Sequence, residues 1–119
     1  MTKFLQAVAL LLPIKIERVF WDGDILMLFS AGWRFRTRGA WRVSKGGKLL
    51  VAYWDDDSLD FVSALSGLSI VEVGWLIDAQ PIDPFFRLYD GRILTTFYSS
   101  STDPWLVEFS DGAVYIGNT

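Results

Sequence analysis

The amino-acid sequence predicts an α+β fold, with two helices packed on a largely antiparallel, twisted sheet of about eight or nine short strands. Two segments, one near the N-terminus and one just past the middle of the chain, carry apolar residues at the spacing of an amphipathic helix. The rest of the chain consists of short apolar runs separated by turns that contain glycine. Such turns at close intervals favour antiparallel pairing of the strands.

Composition limits the classes of protein to which the chain can belong. It has 119 residues, is 51% hydrophobic and carries a formal net charge of −3, so we expect one folded domain over residues 1–119. It contains no Cys and no His, which excludes disulfides, thiol nucleophiles, a Ser-His-Asp triad and imidazole metal ligands. We therefore expect a protein without enzyme activity, cofactor or metal site.

The small net charge hides a marked asymmetry between the two halves of the chain. Residues 1–54 carry nine basic and three acidic residues, whereas residues 55–119 carry two basic and eleven acidic residues. Apolar residues also recur 54 positions apart, as in the pairs Ile16 and Ile70, Val19 and Val73, and Trp21 and Trp75. These matches predict pseudo-repeats over 1–54 and 55–119, although shared strand and turn patterns also produce such matches by chance.

The first predicted element is a helix over Phe4–Leu12. Pro13 ends it, because proline lacks the N–H that would donate the next helical hydrogen bond. A secretory signal peptide is the alternative for this segment. It is disfavoured because Gln6 interrupts the apolar run and no small-residue cleavage site lies before Lys15.

The second predicted helix begins at Asp57 or Ser58, whose side chain would accept a hydrogen bond from a free backbone N–H of the first turn. Asp60 follows in that turn, where the helix dipole favours a carboxylate. Its apolar face is predicted to contain Phe61, Val62 and Leu65, and Gly67 is a suitable C-terminal residue because it adopts a left-handed conformation at little cost.

Glycine and proline mark the remaining boundaries. Hairpin turns are predicted at Asp22-Gly23, Gly46-Gly47, Asp90-Gly91 and Asp111-Gly112. The segments Asp78–Pro84 and Ser99–Pro104, which are rich in proline and small polar residues, are predicted to be loops. The tryptophans at repeat positions, Trp21, Trp41, Trp75 and Trp105, are expected in or near the core.

The strand predicted over Trp33–Arg38 alternates aromatic and basic residues. Because successive side chains of a strand point to opposite faces, Arg34, Arg36 and Arg38 are expected on one face. Three guanidinium groups in a row are suited to binding phosphate or carboxylate. The alternative is an ordinary solvated strand face, whose charges pair with acidic residues elsewhere in the fold.

Acidic residues are concentrated after residue 54. The run Asp55-Asp56-Asp57 with Asp60 does not have the ligand spacing of an EF-hand, so we expect helix capping and a solvated turn, or an acidic patch that binds a basic partner. The predicted partner-binding residues are Asp55, Asp56, Asp57, Asp60, Asp78, Asp83 and Asp103, whose charges add to one negative field.

The C-terminal third contains the motif Asp90-Gly91-Arg92 before an apolar strand, then Asp103-Pro104-Trp105-Leu106-Val107 and Asp111-Gly112. It resembles the tail of small bacterial α+β families that include the immunity proteins of polymorphic and contact-dependent toxin systems. The resemblance implies a cytoplasmic protein that binds and neutralises a cognate toxin domain, such as a basic nuclease. We expect no direct contact with nucleic acid, because the sequence pI is near 4.7, and none with membrane, because no apolar run is long enough to span one.

Three classes of function therefore remain open at this point. The first is an acidic protein-binding module of the immunity type. The second is a structural or adaptor domain that acts as a homodimer through its oppositely charged halves. The third is a small anion-binding domain that uses Arg34, Arg36 and Arg38.

Overall fold

A computed structural model describes residues 2–38, 40–77, 80–97 and 105–116. These residues form two short helices and eleven strands. In chain order the elements are α1 (Thr2–Ala9), β1 (Ile14–Lys15), β2 (Arg18–Trp21), β3 (Leu26–Phe29), β4 (Trp33–Thr37), β5 (Ala40–Lys45), β6 (Lys48–Ala52), α2 (Ser58–Ser63), β7 (Ser69–Ile77), β8 (Gln80–Leu88), β9 (Arg92–Phe97), β10 (Trp105–Phe109) and β11 (Val114–Ile116).

The strands form two sheets. One has six strands in the order β1-β7-β8-β9-β5-β6, and the other has five in the order β11-β10-β4-β3-β2. Every pairing among the described strands is antiparallel, which confirms that part of the sequence prediction. Each sheet contains strands from both 1–54 and 55–119, so the two halves of the chain are interleaved.

The predicted α+β fold, with helices covering a single sheet, is wrong. The inner faces of the two sheets contact each other directly: the rings of Phe35 on β4 and Phe86 on β8 lie 4.9 Å apart, and those of Trp21 on β2 and Trp41 on β5 lie 5.2 Å apart. The protein is thus mostly β. The helices have only eight and six residues, and it is the second sheet that covers the apolar face of the first.

The helices cover parts of the core that the sheets leave open. α1 inserts Phe4, which is fully buried, against the rings of Trp75 and Trp105 at 5.6 and 4.9 Å. Because Trp75 and Trp105 belong to different sheets, Phe4 joins both. α2 packs instead along β2, the edge strand of the five-stranded sheet, and also contacts β6.

One of the two predicted loops is corrected by the strand pairing. Of the predicted loop Asp78–Pro84, the residues from Gln80 onward belong to β8, which pairs with β7. Pro81 and Pro84 lie in the part of β8 opposite Trp75 and Ile77, where the register of the ladder shifts. Proline, which has no backbone N–H to donate, is tolerated in a sheet at such irregular positions. The predicted loop Ser99–Pro104 lies outside the described residues.

The helix predictions are confirmed in position and corrected in detail. α1 ends at Ala9, before Pro13. α2 begins at Ser58 with Asp57 in the N-cap position, but the Asp57 side chain makes no capping hydrogen bond. Gly67 has the expected positive φ of 88°. No helix in the described part of the chain is long and apolar enough to cross a membrane.

Candidate protein-docking surface

The segment between β6 and α2 folds back on itself through the carboxylate of Asp55. Oδ2 of Asp55 accepts a hydrogen bond from the backbone N–H of Ala52 at 2.8 Å, and the Asp55 N–H donates to the Ala52 carbonyl at 3.0 Å. The N–H of Ser58 then donates to the Asp55 carbonyl at 3.1 Å. Asp55, predicted to bind a partner, therefore uses its carboxylate to hold a tight turn, which aligns the start of α2.

One face of α2 anchors the segment to the core. Val62 is fully buried and Ser58 is almost so, and Leu65, two residues beyond the helix, is fully buried as well. The indole Nε1 of Trp21 donates a hydrogen bond to Oγ of Ser58 at 3.1 Å within the buried interior. Phe61, predicted to share this apolar face, is exposed instead, because positions one residue apart on a helix point in different directions.

The opposite side of the same segment is exposed, and it combines apolar and acidic side chains. Trp54 is 69% exposed, and its ring meets that of Tyr53 edge-on at 5.0 Å. We call this the acidic turn-helix surface, and it consists of Tyr53, Trp54, Asp56, Asp57, Leu59, Asp60 and Phe61, all exposed. Within nine consecutive residues it presents four large apolar side chains and three carboxylates.

Three further acidic residues were predicted to bind a partner together with those of this segment. Asp83 is half-buried in β8. Asp78 and Asp103 lie outside the described residues. Three of the seven predicted residues, Asp56, Asp57 and Asp60, therefore lie on the acidic turn-helix surface.

The arginine stripe has the predicted alternation. Trp33, Phe35 and Thr37 are buried, and Arg34 and Arg36 point to the outer face of the five-stranded sheet. Arg34 Nη2 forms an ion pair with Glu108 Oε1 on β10 at 2.9 Å. Arg38 follows the end of β4, is exposed, and lies near enough to Asp22 to contribute to lowering that carboxyl's pKa. Anion binding by the three arginines stays a prediction.

The acidic residues of the hairpin turns act on their own backbone. Oδ1 of Asp22 accepts from the N–H groups of Ile25 and Asp24 at 2.8 and 2.9 Å, and these bonds lower the pKa of Asp22. Burial raises the pKa of Asp90, but the backbone N–H and the guanidinium of Arg92 outweigh it, so this pKa is lowered as well. The Asp90-Gly91-Arg92 motif thus holds a hairpin turn.

Concave sites for a small ligand are limited in the described structure. A cavity of about 200 Å³ lies between Leu11, Ile14 and Trp33, which is smaller than the pockets that usually hold organic ligands, about 300–1,000 Å³. Nε1 of Trp33 is buried and has no acceptor among the described residues. Because that atom has almost no accessible surface, a ligand lying in the cavity would not reach it. No group of three or more potential metal ligands occurs in the described residues.

The sequence predicted the acidic residues of the acidic turn-helix surface but not its apolar ones. The four tryptophans at repeat positions are buried as predicted. Trp33 and Trp54 have no repeat counterpart, yet Trp33 is buried and only Trp54 is exposed. The lack of a repeat counterpart therefore does not distinguish an exposed tryptophan from a buried one, because the exposure of Trp54 depends on how the turn at Asp55 is closed.

No protein-family model, curated protein or solved structure gives a significant match to this chain. The resemblance to immunity-protein families thus stays a hypothesis from the C-terminal motif.

Proposed function

We propose that the chain is a non-catalytic protein-binding module that docks a basic protein domain on the acidic turn-helix surface. The observation that carries the proposal is Trp54, a tryptophan left 69% exposed among Asp56, Asp57 and Asp60. Folding gains nothing from exposing so large an apolar side chain. Tryptophan is also one of the residues most enriched among those that contribute most to binding energy at interfaces.

Geometry supports docking because the surface is held rigidly from behind. The Asp55 turn, the Trp21–Ser58 hydrogen bond and the burial of Val62 fix the position of the segment. The backbone that carries the exposed side chains therefore loses little conformational freedom when a partner binds. This raises the affinity for a given contact area.

The negative charge of the acidic turn-helix surface indicates the kind of partner that it binds. Three exposed carboxylates within five residues favour a partner with a basic face, and they increase the rate of encounter at low salt. A module of this kind needs no nucleophile or general base, in keeping with a sequence without Cys or His. The resemblance described above makes a toxin domain with a basic active-site face, such as a nuclease, the partner we propose.

The first test identifies the partner from the genes next to the one that encodes this chain. If the proposal is correct, a neighbouring gene encodes a large protein with a variable C-terminal domain. That domain should inhibit growth when expressed alone and should not do so when this chain is co-expressed. A neighbouring domain that remains toxic in the presence of this chain would contradict the immunity function.

The second test locates the surface by measuring binding of the purified partner domain by biolayer interferometry. Trp54→Ala should raise Kd about thirtyfold, corresponding to about 2 kcal/mol for a central interface residue. The double variant D56K/D57K should mainly lower the association rate, and the effect should shrink at high salt. Matched controls are Tyr89→Ala, another strongly exposed aromatic in the β8–β9 turn, and Glu17→Lys.

Glu17 suits the charge control because its side chain is exposed and it precedes β2, at the opposite end of that strand from Trp21. If the control variants weaken binding as much as the surface variants, the partner docks elsewhere. Near-ultraviolet circular dichroism of every variant checks that the aromatic core is intact.

A further inference from the structure

The outer face of the five-stranded sheet is unusually apolar for a face without a covering layer. The strand register places Phe20, Met27, Arg36, Leu106 and Ile116 side by side across all five strands. Phe20 is 44% exposed and Ile116 is 39% exposed. Solvated sheet faces normally carry polar side chains, and a row with four apolar side chains around a single arginine points to a contact with another molecule.

The neighbouring row adds positive charge to this face. In register it contains Arg18, Phe29, Arg34, Glu108 and Val114. The Arg18 guanidinium lies 4.2 Å from the ring centre of Phe29, and Arg34 pairs with Glu108. We call the two rows together the arginine face. It has three arginines and one glutamate, so its charge is opposite to that of the whole chain.

The arginine face and the acidic turn-helix surface flank the same edge strand. Arg18 and Phe20 lie on the outer side of β2, while the inward-facing Trp21 of that strand binds Ser58 of α2. α2 packs along β2, so the segment that carries Asp57 and Asp60 lies next to the strand at which the arginine face begins. The two surfaces are complementary in charge, and each contains exposed apolar side chains.

We propose that a second copy of this chain covers these surfaces, in a dimer whose twofold axis passes near β2. The acidic turn-helix surface of each copy then packs on the arginine face of the other. Because the two surfaces are adjacent, a twofold axis makes both contacts at once and closes the assembly. The apolar side chains supply the buried area, and the charges fix the orientation.

A protein surface fits the arginine face better than a nucleic acid does. In the row through Arg36, Phe20 provides a ring on which a base can stack, whereas Met27, Leu106 and Ile116 provide none. The ring of Phe29 is already covered by Arg18. An acidic surface with apolar residues is the complement that this face requires, and the chain itself carries such a surface.

The dimer and the proposed binding of a basic partner domain use the same acidic turn-helix surface. Asp57 and Asp60 are covered in the dimer, so a basic partner domain and a second copy compete for them. Binding of the partner then requires the dimer to dissociate. The dimer is the state of the chain when no partner domain is bound. This competition rests on the proposed function, whereas the dimer itself does not.

The test measures the mass of the purified chain, without any partner, by sedimentation equilibrium. We expect a dimer that dissociates as NaCl is raised from about 0.1 M to about 1 M, which shortens the Debye length from about 10 Å to about 3 Å. A chain that is monomeric at low salt and millimolar concentration would overturn the proposal.

Charge reversal tests which surfaces form the dimer. Arg18→Glu on one surface and the pair D57K/D60K on the other should each raise the dimer Kd at least about tenfold. Combining all three substitutions in one chain exchanges charge between the two surfaces at positions 18, 57 and 60 and should restore part of the affinity. Lys48→Glu and Glu17→Lys, outside both surfaces, should leave the Kd unchanged.

Two outcomes contradict the arrangement. A dimer that is insensitive to R18E and to D57K/D60K uses other surfaces, and a combined variant that stays as weak as the single ones shows that the two surfaces do not meet. Arg36→Glu provides a second variant of the arginine face. Binding of a partner domain to monomeric R18E, whose acidic surface is intact, separates failure of the dimer from failure of the proposed function.

Discussion

The indole N–H of Trp21 donates to the hydroxyl of Ser58 across 3.1 Å, 37 residues apart in sequence and inside the core. This bond joins the edge strand β2 to the first residue of α2. The acidic turn-helix surface therefore depends on one buried polar contact, together with the turn closed by Asp55.

Ser58→Ala should lower the free energy of unfolding by about 1–3 kcal/mol, because it leaves the buried N–H of Trp21 without an acceptor. Urea denaturation followed by tryptophan fluorescence measures the change. Ser63→Ala is the matched control, since Ser63 lies in the same helix and is exposed. Equal losses in the two variants would mean that the Trp21 bond does not contribute.

Phe86→Ala should destabilise the protein by about 3–5 kcal/mol, because it leaves a cavity where the two sheets meet. The ring of Phe86 lies 4.9 Å from Phe35 and 6.1 Å from Trp33 on the facing sheet. Trp54→Ala removes a larger but exposed side chain and should change stability by no more than about 0.5 kcal/mol. If the two variants were equally stable, the sheets would not share the core described here.

Gly74→Ala should cost about 1–3 kcal/mol through overpacking. A Cβ at residue 74 would lie 2.7 Å from Cε2 of Phe85, whose ring covers this glycine on the neighbouring strand. Gly32→Ala places its Cβ 3.5 Å from the nearest atom, on Leu11, and should be tolerated. Thermal unfolding compares the variants, and adding Phe85→Ala to Gly74→Ala should relieve most of the overpacking.

Stability should fall on acidification, starting near the ordinary Asp pKa of about 4. The pKa values of Asp22 and Asp90 are lowered in the folded state. A lowered folded pKa contributes stability that is present above the unfolded pKa and is lost as the pH falls through the folded pKa. The double variant D22N/D90N should therefore show a weaker dependence of its melting temperature on pH between about 5 and 2.

The control for this pH dependence is Ser58→Ala, which changes no carboxylate. It should lower the melting temperature without altering the slope against pH in the acid range. An unchanged slope in D22N/D90N would show that the two turn carboxylates are not the source of the acid sensitivity.

Much of the local structure could be predicted because it depends on neighbouring residues. The Asp-Gly turns at residues 22, 90 and 111 formed as predicted, since each Asp side chain accepts a backbone N–H two residues along the chain. The alternation in β4 was also predicted correctly. β8 was missed at its start because its prolines indicated a loop, and only the irregular pairing with β7 makes them acceptable.

The sequence predicted the negative charge of the acidic turn-helix surface, but it did not predict which of its apolar side chains are exposed. Asp56, Asp57 and Asp60 were identified from the sequence, but Asp55 proved to be part of the turn itself. Nothing local distinguishes buried Trp33 from exposed Trp54. Their environments are set by the facing sheet in one case and by the turn before α2 in the other.

The sequence by itself determined the turns, the alternation of the strands, the antiparallel pairing and the opposite charges of the two halves. Each of these depends on residues close together in the chain or on composition. Only the tertiary structure decided that two sheets cover each other, that both halves contribute to both sheets, and that α2 lies along β2 beside the arginine face. Those features depend on which apolar surfaces meet across long stretches of chain, and burial is a non-directional force that local spacing does not specify.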